Sequence, residues 1–193
     1  RSLIQILWRV FLSWPQRYYI FLSDYLYRMK EILLDYAKYN VWANDRVFEL
    51  LHKLEDDALD QELGGSFGTI RQTVYHIWGA ESIWYQRLQM AEHLIIPQEG
   101  FTGTFAEACT AWLAVSKQYI AYIEKQFDDR GFEHEFVYRN LKKEQLKSKV
   151  WEALHHCLNH STFHRGQLII YARMLGLNKI PATDQIAYSR ERK

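Results

Sequence analysis

An all-α fold, a four-helix bundle, is the architecture that three features of this 193-residue chain predict. Four long stretches repeat apolar residues at intervals of three and four, the helical period. Glycine and proline punctuate the segments between them, and only one short stretch alternates like a strand. In such bundles, metal and ligand sites are built from inward side chains on facing helices.

The first helix is expected from the N-cap pair Ser23-Asp24 to about Leu54, on the stripe Met29, Leu33, Tyr36, Asn40, Ala43, Val47 and Leu51. Residues 1–28 differ in character and form an N-terminal extension to a domain spanning 29–193. Leu3, Leu7, Val10 and Trp14 share a helical face, but Gln5, Arg9 and Arg17 interrupt it. That run is too short and too charged to cross a bilayer, which needs about 20 apolar residues. No small-residue cleavage site marks a signal peptide. Docking on the domain or on a second copy suits Pro15 and the aromatics that follow it better than a membrane-surface helix does.

Gly64-Gly65-Ser66-Phe67-Gly68 breaks the helical pattern, and a second helix is expected from about Thr69 to Met90 on Ile70, Val74, Ile77, Trp84 and Leu88. Pro97, Gly100 and Gly103 mark a loop before a third helix, about Thr104 to Phe127. The period fails between Asp128 and Lys147, where Glu135–Tyr138 alternates like a strand of a two-strand hairpin. Ser148 is the expected cap of the fourth helix, and Gly176 its C-terminal stop. Residues 177–193 read as a tail laid over the bundle.

Composition narrows the function. With 48% hydrophobic and 24% charged residues the chain is a folded protein rather than a disordered one. A net charge of +1 gives no electrostatic footprint for nucleic acid. Two cysteines, Cys109 and Cys157, make no disulfide framework, so a reducing, cytoplasmic setting is expected.

The chemistry concentrates in helix four. Ala153, Cys157, His160, His164, Leu168 and Tyr171 rise along one stripe, so His160 and His164 stand one turn apart on a face expected to point inward. Imidazoles so spaced can aim their nitrogens at one metal ion. The alternative is a pair of core histidines satisfied by ordinary hydrogen bonds. The glutamate that follows the first histidine of a zincin motif is absent. A third ligand must come from another helix. His93 and His134 fall in loops, and His52 lies near a helix end. His76 sits mid-helix beside the small residues Thr69, Thr73 and Ala80, and is preferred. His156, one turn before His160, is a fourth ligand or a neighbouring polar group; His155 points away. Glu81 and His156 are candidate proton-handling groups. Arg165 either steers an anionic substrate or forms an interhelical ion pair.

Together these motifs resemble the DinB/YfiT-like superfamily. The likeness rests on Tyr39-Asn40-Val41-Trp42-Ala43-Asn44, Gly64 through Arg71, His76 through Glu81 with Trp84, Asn159 through Gln167, and Pro181, Asp184 and Tyr188 in the tail. It implies an up-down four-helix bundle, a homodimer, and zinc or nickel held by His76, His160 and His164. It also implies a metal-dependent enzyme acting on a small molecule. That enzyme is a transferase using a low-molecular-weight thiol, or a hydrolase using metal-bound water. A non-catalytic stress-linked bundle is the third possibility. Neither DNA binding nor membrane association is implied.

Overall fold

The computed structural model describes residues 29–140 and 142–192. Four long helices dominate: α1 (Met29–Leu51), α3 (Ile70–Leu88), α4 (Phe105–Lys125) and α6 (Val150–Met174). Short elements join and flank them: α2 (Asp56–Leu59), α5 (Arg130–Glu133), β1 (Glu135–Arg139), β2 (Gln145–Lys149) and α7 (Gln185–Glu191). The proposed extension, residues 1–28, and the predicted Ser23-Asp24 cap lie outside the described residues. None of the helices described is long and apolar enough to cross a membrane.

Local chemistry sets most boundaries. Thr69 accepts from the Gln72 amide and starts α3, while Thr104 and Glu107 form a reciprocal capping box that starts α4. The carboxylate of Asp129 accepts from the amides of Met29 and Lys30 at 2.8 Å, satisfying two donors that α1 could not. Helix α6 departs from expectation by one residue. Lys149, not Ser148, is its cap, because Ser148 is paired with Phe136 in the hairpin and Glu152 reaches back to the Lys149 amide. At its other end Gly176 adopts φ +89°, and the Leu177 amide donates to the Ala172 carbonyl, the wrap that closes a helix on glycine.

Side-chain pairings give the topology. Arg71 lies over Phe105, Glu81 meets Ser116, and Tyr85 packs on Tyr119, so α3 and α4 run parallel. Both are antiparallel to α1 and α6. The order is therefore up, down, down, up, rather than the strict up-down alternation expected. The loop over residues 89–104 is long enough to carry the chain back along the bundle. Helix α1 packs against α4 and α6, which leaves α3 diagonal to it.

The interior is split into two apolar halves by a polar layer. One half gathers Val47, Leu51, Ile70, Ile77, Trp112 and Leu168. The other gathers Leu33, Leu88, Tyr119, Ile123, Leu154 and Leu158. Each such side chain contributes about 1.5–3 kcal/mol on full burial. Between them lie Asn40, Asn44, Glu81, Ser116, Ser161 and Arg165, each at most 2% exposed. Outside the bundle, the hairpin β1–β2 pairs Glu135 with Lys149 through Arg139 with Gln145. The tail helix α7 seats Tyr188 against Tyr39 and Trp42 of α1.

Candidate metal centre

The site begins with a glycine loop. Gly64, Gly65 and Gly68 all take positive φ, and the Leu63 amide donates to the Gly68 carbonyl at 2.8 Å, closing the turn. Tyr171 of α6 donates its hydroxyl to the Gly64 carbonyl at 2.6 Å. A side chain at Gly65 would meet that phenol oxygen at 2.5 Å, so the approach requires glycine. Tied down in this way, the loop lays Phe67 over the ring of His76, 3.9 Å between centroids and nearly parallel. It also delivers Thr69 as the cap from which α3 carries His76 toward α6.

There His76 meets His160 and His164. The Nε2 atoms of His76 and His160 are 3.0 Å apart, and those of His160 and His164 3.1 Å. All three residues offer a nitrogen within 4.8 Å of the others. Two nitrogens each about 2.0–2.1 Å from one ion, at angles from square to tetrahedral, stand about 2.8–3.4 Å apart, so these separations fit a shared cation. Tautomers agree with that fit. The Gln167 Oε1 can only accept, so Nδ1 of His164, 2.6 Å from it, carries the proton and Nε2 keeps its lone pair. Partial burial, reinforced by neighbouring rings, pushes His76 and His160 down to about 4; burial also lowers His164. At neutral pH the cluster is three uncharged donors.

One expectation needs refining. The buried face of α6 runs through Leu154, Cys157, Ser161, His164, Arg165 and Leu168. His164 is buried, whereas His160 lies at the edge of that face, half-buried. That offset turns the cluster toward one side of the bundle and leaves the interior to the polar layer.

The other predicted site residues separate. Glu81 lies inside the bundle, where Asn40, Asn44, Ser116 and Ser161 all donate to its carboxylate. Arg165 donates to the side-chain oxygens of Asn40 at 2.5 Å and Asn44 at 2.7 Å, and to Thr162. Each asparagine thus bridges the two opposite charges. Arg165 is 2% exposed and its donors are turned to the bundle's own acceptors, which makes it an interhelical hydrogen-bonding partner. Glu81 does not join the histidine cluster. His156 stays close: it is exposed, its ring 5.9 Å from His160 and 5.1 Å from Trp84. Desolvation of its ring by the neighbouring side chains and the nearby charge of Arg87 hold it below its ordinary value. His155 faces Tyr36, on the other side of the helix.

Phe67 and Gln167 carried no role in the sequence reading. The signal for Gln167 was its spacing, three residues after His164. Both cysteines are fully buried, and burial pushes Cys109 up to about 12 and Cys157 well above its ordinary range. Cys157 contacts the Tyr119 hydroxyl at 3.1 Å and stays out of the cluster.

Comparison with known proteins agrees with this fold. The DinB family model matches residues 29–192. Protein DinB of Bacillus subtilis (strain 168) is 25% identical over 169 residues, covering 83% of this chain and 91% of that protein. Among solved structures, YfiT from Bacillus subtilis is described as "a probable metal-dependent hydrolase with an unusual four-helix bundle topology". It aligns with a TM-score of 0.58 at 15% identity, over 73% of this chain and 86% of its own. A DinB-like protein, YjoA of Bacillus subtilis, aligns with a TM-score of 0.58 at 16% identity, over 78% of this chain and 98% of its own. At such identities the structural likeness is one of fold.

Proposed function

The chain belongs to the DinB family, and from that premise we propose that it is a metal-dependent enzyme which activates a small thiol for transfer to an electrophile. His76, His160 and His164 hold the divalent ion. Zinc and nickel both suit an all-imidazole donor set, and cellular supply decides between them. The observation that carries the reading is the convergence of three neutral imidazole nitrogens with no carboxylate among them. Three uncharged ligands would leave a bound ion its full charge and room for a further ligand, and the pKa of a thiol or a water held there would fall toward neutrality.

The remaining work belongs to the chain's own side chains. Gln167 holds His164 in the ligating tautomer. Phe67 covers one face of His76 and keeps water from it. We assign proton uptake to His156, whose ring lies 5.9 Å from that of His160. Activating water for hydrolysis calls for a neighbouring base. The carboxylate expected to serve, Glu81, is committed to the buried layer, which favours a thiol, since a thiol ionises more readily. The description of YfiT as a metal-dependent hydrolase supports the second reading, in which water is the nucleophile.

Two measurements test the proposal. His160→Ala should lose stoichiometric metal in elemental analysis of protein purified without added ions, and full retention refutes the ligand assignment. Turnover of an electrophile should require added thiol; turnover in its absence moves the assignment to hydrolysis. The family resemblance further supports a homodimer, which light scattering after size exclusion tests, and the lack of a disulfide framework supports a reducing, cytoplasmic setting.

A further inference from the structure

A cleft of about 510 Å³ opens between the C-terminal end of α3 and strand β1, lined by Arg87, Met90, Leu94, Val137, Tyr138 and Arg139. Its chemistry is mixed in an ordered way. At one end the guanidinium of Arg87 rests against two adjoining aromatic rings, 4.6 Å from the centroid of Trp84 and 4.9 Å from that of Tyr138. Its hydrogen bond goes to a neutral acceptor, the Arg139 carbonyl, at 2.9 Å, and Nε is buried without a partner. Among the described residues no carboxylate pairs with it. The contrast within this protein is plain: Arg46, Arg71 and Arg192 each hold an acid, and Arg165 is linked to one through two asparagines.

Two acidic residues also line the cleft, but neither answers Arg87. Glu135 is engaged by Lys147, and Glu92 lies on the exposed rim. The rest of the wall is apolar and open to solvent, with Met90 79% and Val137 58% exposed. Met90 is held there at φ +54°, a conformation that residues other than glycine seldom adopt. A partly desolvated cation without a counter-ion is costly, and an exposed apolar wall beside it is an unfilled contact surface. Burial lowers the pKa of Arg87, in keeping with a charge left uncompensated.

We propose that this cleft binds a carboxylate-bearing, partly apolar small molecule, with Arg87 taking the carboxylate and Met90, Leu94 and Val137 taking the apolar body. The planar guanidinium, already fixed by its two rings, loses little freedom on pairing with a planar anion. The cleft stands independently of the metal assignment. It is joined to the histidine cluster through Trp84, which touches Tyr138 on one side and His156 on the other. A molecule seated at Arg87 therefore lies against the wall behind His156.

The test uses the full chain and three probes of one shape: 4-phenylbutyrate, 4-phenylbutylamine and 4-phenylbutanol. Each is titrated while the Trp84 indole resonance is followed. The carboxylate should saturate and bind at least tenfold tighter than the amine or the alcohol. Arg87→Met should remove that preference, and Val137→Asp, which leaves the contacts of Arg87 with its two rings intact and guards against misfolding of the first variant, should weaken the carboxylate and improve the amine. Equal binding of all three probes overturns the proposal, as does a carboxylate preference that survives both variants. Repeating the titration on His160→Ala separates the two sites. Retained preference there supports the cleft, and its loss there overturns the cleft in favour of capture at the histidine cluster.

Discussion

Replacing Arg165 by methionine is the sharpest test of the buried layer, because the cost can be worked from its contacts. Methionine fills much of the same volume but removes every donor. The side-chain oxygens of Asn40 and Asn44 lose their partner, the Thr162 hydroxyl keeps only its bond to the Leu158 carbonyl, and Glu81 is left as a buried anion facing no cation. A single orphaned buried acceptor costs about 1–3 kcal/mol, and breaking a buried charge pair from one side costs about 3–5 kcal/mol. These overlap, so the expected loss is about 3–5 kcal/mol, or roughly 6–20 °C in melting temperature for a domain of this size. Urea unfolding followed by circular dichroism measures it. Adding Glu81→Gln to the same protein should recover part of the loss, since the stranded charge is gone. A loss below about 1 kcal/mol, or simple additivity of the two changes, refutes the linked-charge account.

Other expectations follow from the histidine cluster and its loop. Gln167→Leu should weaken metal binding by roughly 10–100-fold with little change in melting temperature, because it frees the His164 tautomer while leaving the ligand itself; a competitive chelator titration reads this. In chelator-treated protein, His76 and His160 bind protons less readily folded, at about 4, than at their ordinary 6.5. The unfolded chain therefore takes up more protons as pH falls, and stability should decline from about pH 6.5 to about pH 4. Urea midpoints across that window should fall more steeply for the native protein than for His76→Ala/His160→Ala, and parallel slopes would count against the depressed values. Gly65→Ala places a methyl against Tyr171 at a backbone angle that alanine resists. It should cost about 1–3 kcal/mol and loosen Phe67 from His76, seen in thermal melts and in faster exchange of loop amides.

Much of the bundle was legible because its signals are local. Thr69 and Thr104 are hydroxyl caps directly before apolar runs, and Gly176 follows the last periodic residue of its helix. The His160 and His164 pair was visible from spacing, and His76 from its position among small neighbours. What escaped depends on how helices face one another. Glu81 and Arg165 read as site residues because both stand near the histidines in sequence. A step of one residue along a helix turns a side chain by about 100°, and that rotation sends Ser161 and Arg165 into the interior while His160 meets the edge. The parallel run of α3 and α4 was hidden for a similar reason, since a loop's length does not reveal which end of the bundle it reaches. Strand β2, Gln-Leu-Lys-Ser-Lys, carries no apolar alternation and is held by its pairing with β1.

The two sealed cysteines make the protein its own gauge of breathing. Cys109 belongs to the apolar half around Trp112, and Cys157 to the half around Leu154. Neither sulfur can meet an aromatic disulfide reagent until its half of the core parts, so labelling speed counts opening events. Mapping which thiol is tagged first would reveal which end of the bundle yields earlier, without introducing any foreign probe.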